Sequence, residues 1–270
     1  MNILERKMVD ALIDLKENHF VNGIKAEFEA EGTRLEEMLR LKEVCDKSGL
    51  GLTIKIGGCE AVRDMYECRT IGVERLVAPM IESAFALHKF LSATKLAFPE
   101  SERTEIDFAV NIETITGCRN FGEMLKLPEI GMLNGVVMGR VDLTGSMGLT
   151  REDINSRVVQ DHTRDLFKLA KAAKLGTAVG GGVSAHSLPF LRELPGLVDR
   201  FETRKVIFKC PEALNPDGDK GILKAVGFEL MWLKNKRDYY RLIAIEDDQR
   251  IEMLEKRYKA SIEAAGGRYG

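Results

Sequence analysis

Two rhythms of apolar spacing alternate along the 270 residues of this chain. Residues 3–17 repeat apolar positions every three or four residues, which predicts an amphipathic helix. Strand-like runs follow: GIKAEFEAE (23–31), LTIKIGG (52–58), RLVAPM (75–80), DFAVNIET (107–114), NGVVMGRVDLTG (134–145), GTAVGGGV (176–183) and LVDRFETRKVIF (197–208). The fifth is expected to run into a loop and the seventh to be one strand. Between them lie stretches of helical spacing. TRLEEMLRLKEVCDKSG (33–49) is one, ending at a glycine suited to a helix C-terminus. Strands that each lead into a helix, in units of roughly 25–40 residues, have the length that parallel crossovers need.

No stretch rich in Pro, Gly or Ser interrupts this alternation, so residues 1–210 read as one (β/α) unit with an N-terminal helix. From 211 to 270 a loop-like segment gives way to a long, charged helical extension, belonging to the same domain or to an oligomer contact. Polar residues inside the strands decide between an open sheet and a barrel. Lys25, Glu27, Glu29, Lys55, Asn111, Glu113, Arg140 and Asp142 all fall within strand runs or at their C-terminal ends. A sheet covered on both faces needs nearly continuous apolar strands, whereas a barrel can be polar at its C-terminal rim. The predicted fold is therefore an α/β, TIM-type (β/α) barrel, with an altered first strand and a C-terminal helical extension.

Charge and cysteine usage narrow the partners. The net charge of −2 gives no reason to expect nucleic acid or an acidic membrane surface. No apolar run has signal-peptide or membrane-spanning form, and five scattered cysteines without a CxxC pair suit reduced thiols in the cytoplasm.

The candidate chemistry lies at strand ends. In IKAEFEAEG, period two puts Lys25, Glu27, Glu29 and Glu31 on one strand face, pointing either to water or into a barrel mouth. Glu113 closes one strand and Asp142 follows the next, so the two carboxylates can hold one hard divalent ion that keeps positions for substrate oxygens. The alternatives are a helix cap at Glu113 and an Asx turn at Asp142. His186, just past a strand end, has the pKa class for proton transfer. Gly180, Gly181 and Gly182 form either an anion-binding loop or a tight turn. Arg204 and Lys205, with Arg140, add positive charge near the same rim.

IETITGCRN (112–120) and GRVDLTGSMG (139–148), with GVERLVAPMIESA (72–84), resemble the signature segments of the HpcH/HpaI aldolase and citrate lyase β-subunit family, whose barrel core is similar to those of pyruvate kinase and phosphoenolpyruvate mutase. The resemblance covers residues 23–190. It implies Glu113 and Asp142 as ligands of Mg2+ or Mn2+, with the backbone at Gly139, Arg140 and Val141 against the substrate carboxylate; Lys55, at the place of a family arginine, and Arg204, by its charge at the rim, are further candidate substrate contacts. It also implies a carbon–carbon lyase or aldolase, or a condensing enzyme in reverse. The substrate would be a small anionic 2-oxo acid or acyl compound, reacting through an enolate stabilised by the metal, in a homo-oligomer. Three departures stand out. Ala30 replaces the family's catalytic histidine, which leaves Glu27, Glu29, Lys55 or His186 for proton transfer. Lys55 replaces an arginine that grips the substrate carboxylate. A strand–helix unit that precedes the acid-bearing strand in the family is missing, leaving ring closure open. A non-catalytic binding or regulatory barrel and a phosphoenolpyruvate-using transferase or mutase are the alternative readings.

Overall fold

The computed structural model describes residues 1–268. A capping box starts the fold: Asn2 Oδ1 accepts the Glu5 N–H at 2.8 Å, and Glu5 Oε2 accepts the Asn2 N–H at 2.7 Å. It opens α1 (Ile3–His19), whose chain reverses at Phe20 in the left-handed region and enters β1 (Val21–Glu27). The alternation then runs α2 (Leu35–Ser48), β2 (Gly51–Lys55), α3 (Val62–Ile71), β3 (Arg75–Ala78), α4 (Ala84–Ala97) and the short α5 (Glu100–Arg103). It continues with β4 (Asp107–Ile112), α6 (Ile115–Met124), β5 (Gly135–Gly139), α7 (Arg140–Ser146), α8 (Arg157–Ala172), β6 (Gly176–Gly180) and α9 (Leu188–Arg192). β7 (Arg200–Glu202), β8 (Val206–Lys209) and α10 (Gly218–Ala264) end the chain. The strands close into a barrel in chain order.

Three expectations are corrected. LVDRFETRKVIF is not one strand but the hairpin β7–β8: the Thr203 N–H bonds to Val206 O at 2.9 Å, and three residues cannot carry a parallel crossover. β8 therefore runs antiparallel to β7 and also to β1, pairing Val21 with Phe208 and Ile24 with Val206. The reversed strand fills the place beside the acid-bearing strand that a preceding parallel strand was expected to take. β1 stops at Glu27, so Glu29 and Glu31 lie on the turn beyond it rather than on the strand face. RVDLTG forms α7, not a loop. The long stretch after Thr150 is indeed broken, at Ser156 between a 3-10 turn (Arg151–Asn155) and α8.

Inside the ring, Val77, Ala109, Val137 and Ala178 make an apolar layer of small and branched side chains that fills the narrow barrel. Above it, toward the C-terminal ends of the parallel strands, the inward residues turn polar. Residues 1–229 form one compact unit and the chain from Leu230 on a second; α10, 47 residues long, gives its first turns to the former.

Candidate active site at the barrel mouth

Glu113 directly follows β4 and is 2% exposed. Its Oε1 accepts the Met80 N–H at 2.9 Å, and its Oε2 accepts from Asn111 Nδ2 at 2.8 Å. Met80 reaches this position with φ +52°, a backbone state that costs a non-glycine residue about 1–3 kcal/mol and is held only by its surroundings. On β5, a Cβ at Gly139 would stand 2.4 Å from Glu113 Oε2. That strand end must be glycine for the carboxylate to lie where it does. Glu113 is not a helix cap, because Thr114 takes that role: its Oγ1 accepts the Gly117 N–H at 3.0 Å and donates to Glu82 at 2.6 Å. Asn120 Nδ2 donates to Glu82 O at 2.8 Å, so the three segments that carry the family resemblance meet around one carboxylate. Asp142 lies exposed in the first turn of α7 and not in an Asx turn.

Across the mouth the charges are paired. Lys25 Nζ lies 2.5 Å from Glu202 and 3.1 Å from Glu27; Lys55 Nζ lies 2.5 Å from Glu29 and 3.7 Å from Glu27. Glu31 takes Arg204 at 3.3 Å and also pairs with Lys205. The alternating acids thus split between the barrel interior, where Glu27 joins two lysines, and the rim, where Glu29 and Glu31 each hold a basic partner.

The two sides differ in their protonation energetics. Burial raises the Glu113 carboxyl, the Asn111 amide and Lys55 pull it back only in part, and Asp142 adds repulsion, so its pKa ends above the ordinary 4.5. Burial also acts on Glu27, but Lys25 and Lys55 outweigh it and hold that carboxyl below 4.5. Lys25 and Lys55 lose to burial and gain more from their acids, so both stay protonated at neutral pH.

These groups line one open pocket of ≈ 400 Å³. It brings together Lys25, Glu27, Lys55, Asn111, Glu113, Gly139, Val141, Asp142, Glu202 and Arg204. Ala30 lines it too, and among the described residues no histidine does. Glu29, on the rim against Lys55, does not line it, and two further expected site residues lie elsewhere. Arg140 is 0% exposed and donates to Gly180 O at 3.2 Å, Gly181 O at 3.0 Å, Asn155 Oδ1 at 2.5 Å and Ser187 Oγ at 3.2 Å, with its guanidinium over the Phe190 ring. It ties α7 to the loop after β6 and has no free donor edge for a substrate. His186 is exposed on a 3-10 turn (Ala185–Ser187) and does not line the pocket. The glycine loop is a close backbone approach: Gly181, at φ +76°, has room for no Cβ, which would stand 2.7 Å from the Arg140 and Val141 nitrogens. Sequence reasoning passed over Lys25 and Glu202 as site residues, although the alternation in IKAE and RFE carried the signal. It also left out Met80, whose contribution is a backbone N–H that side-chain chemistry does not reveal.

The sequence profile of the HpcH/HpaI aldolase/citrate lyase family matches residues 57–183. That is just under half of the chain, and over this segment the chain is similar to the family. Among solved structures, the fold is similar to an HpcH/HpaI aldolase from Desulfitobacterium hafniense DCB-2 (TM-score 0.57, 14% identity, 71% of this chain and 80% of that one). It is also similar to an HpcH/HpaI aldolase/citrate lyase family protein from Burkholderia cenocepacia J2315 (0.59, 14%, 73% and 91%). A third similar structure is the citrate synthase SbnG (0.60, 13%, 86% and 90%). At these identities the likeness establishes the barrel. No curated protein matches the chain by sequence. Among the described residues no group of three or more His, Cys, Asp or Glu is set to hold a metal, so any ion here would rest on a pair of carboxylates. Glu113 and Asp142 fit that need: both are hard oxygen donors on one pocket wall, and among the described residues neither has an ion-pair partner. No described helix is long and apolar enough to cross a membrane.

Proposed function

We propose that this chain is a divalent-metal-dependent carbon–carbon lyase, or a condensing enzyme in reverse, acting on a small 2-oxo acid through an enolate. The observation that carries the reading is the unbalanced pair of acids: buried Glu113 and exposed Asp142 share a pocket in which Glu27 and Glu202 are paired with lysines and Glu229 accepts from the Thr203 hydroxyl and the Lys205 N–H. Glu113 and Asp142 would hold Mg2+ or Mn2+, which when bound supplies a Lewis acid for the keto oxygen and the adjacent carboxylate. The chain's own residues do the rest. The Asn111 amide and the Met80 N–H orient Glu113, and Gly139 gives it room. Lys55 and Arg204 supply positive charge to the anionic substrate, and the backbone at Gly139 and Val141 lines its seat. With no histidine at Ala30, the carboxylate of Glu27, or Glu29 on the rim, accepts the substrate's methyl proton as the enolate forms, and the Lys55 ammonium beside both stabilises the anionic charge; the same carboxylate returns the proton, or a deuteron from solvent, to the enolate carbon.

The test uses pyruvate as probe. In D2O with Mg2+, exchange of its methyl protons is expected by NMR, abolished by EDTA and reduced roughly 10²–10³-fold in Glu113→Gln. Exchange indifferent to EDTA and to that substitution would remove the proposal, and absence of Mg2+ binding by calorimetry would leave a barrel that binds rather than catalyses.

A further inference from the structure

Among the described residues, four basic side chains line the pocket at the barrel mouth, and three of them are committed. Lys25 is paired with Glu202 and Glu27, Lys55 with Glu29 and Glu27, and Arg204 with Glu31. The fourth, Arg151, is exposed and makes no hydrogen bond or ion pair among the described residues. Its backbone, by contrast, is fixed. Arg151 opens the 3-10 turn Arg151–Asn155, where Asp153 accepts the Thr150 N–H at 2.9 Å and the Thr150 hydroxyl at 2.8 Å. Buried Arg140 ties down the far end by donating to Asn155 Oδ1 at 2.5 Å. The middle packs against the glycine loop, since a Cβ at Gly182 would stand 2.7 Å from Ile154 Cδ1. A guanidinium with five N–H donors therefore extends from a held backbone toward the pocket wall that carries Asp142. Asp142 and Arg151 share that wall without pairing with each other.

We infer, building on the proposed function, that Arg151 is the residue that grips the carboxylate of the 2-oxo acid. A carboxylate arriving at Lys55 or Arg204 forms one ion pair only as it loosens another. At Arg151 it gains free donors outright. The arginine fork meets a carboxylate with two parallel N–H bonds, which fix the plane of the acid as well as its place, and a lysine cannot do this. The fork that Lys55 lacks is thus supplied from the turn after α7, on the other side of the pocket. Charge supports the assignment. A divalent ion on Glu113 and Asp142 together with a carboxylate on Arg151 leaves this wall without net charge, whereas either one by itself leaves it charged. The ion and the anionic substrate therefore each favour binding of the other.

Pyruvate is the probe, and its affinity for the full chain is read by ligand-observed NMR titration, apart from any turnover. With Mg2+ present, Arg151→Met is expected to weaken pyruvate binding about 10- to 100-fold. Arg151→Lys keeps the charge but not the fork and is expected to fall between that variant and the wild type. Arg204→Met is expected to lose less than Arg151→Met, because Arg204 is already held by Glu31. Mg2+ affinity measured without pyruvate and thermal unfolding should match the wild type in Arg151→Met, which separates a lost substrate contact from a lost ion or a lost fold. In methyl-proton exchange the same variant should raise KM and leave kcat nearly unchanged. Wild-type pyruvate affinity in Arg151→Met, or a larger loss in Arg204→Met, overturns the assignment, and so does a wild type that binds no pyruvate. Pyruvate binding that depends on Arg151 without any methyl exchange would uphold this assignment and remove the proposed reaction instead.

Discussion

The two halves of the barrel mouth hold similar residues in opposite electrostatic states. On the β1, β2 and β7 side, Glu27, Glu29 and Glu202 meet Lys25 and Lys55, and the charges close on themselves. On the β4 and β5 side, Glu113 is buried and accepts from N–H donors, and Asp142 adds a second acid; among the described residues neither has an ion-pair partner. An acid row by itself therefore says little about function. What matters is whether the fold supplies a cation for each acid, and the side where it does not is the side on which a metal ion would restore balance.

The largest expected effect removes the balance where it exists. Lys25→Met leaves Glu202 and Glu27 buried without their shared ammonium and is expected to cost about 3–5 kcal/mol in chemical denaturation. A cost near zero would mean that the paired half is as loosely held as a surface. Next, Gly139→Ala pushes a methyl group onto Glu113 and is expected to weaken Mg2+ binding roughly 10- to 100-fold by calorimetry, with the barrel still folded. Undiminished affinity would separate Glu113 from the ion.

Acid distinguishes the halves without mutation. Glu27 is held below 4.5, so its pairs contribute stability above that pH and lose it as the pH falls through the depressed value. Glu113 is held above 4.5, so its contribution to the metal-free fold is complete below 4.5 and is lost as the pH rises through the raised value. Mg2+ needs the ionised form. Its affinity is expected to fall about tenfold per pH unit below the raised pKa of Glu113, before near-UV circular dichroism reports any loss of the paired half. Loss of binding and of fold at one common pH would erase the contrast. The smallest effect is expected at His186: with its exposed ring outside the pocket, His186→Ala should change stability by less than about 0.5 kcal/mol and leave pyruvate exchange unaltered.

Much of this was legible before any coordinates. Glu113 and Asp142 stood at successive strand ends, and the mixture of apolar strands with polar ends separated a barrel from an open sheet. Arg140 misled because an arginine beside a strand end has the same letter whether it grips a ligand or a neighbouring loop. Five hydrogen bonds and an aromatic face made it structural. The β7–β8 hairpin was hidden because ETRK is polar in either reading, and only the shortness of the connection shows that the chain must turn back.

Periodicity is a local property, so the alternation of strand and helix and the long helical extension at the C-terminal end were determined by the order of residues. Charge compensation is not local. Lys25 and Glu202 lie at opposite ends of the barrel sequence and touch only because an antiparallel strand closes the ring. Which acids are neutralised, and which are left for a cation, is therefore decided by the tertiary structure alone.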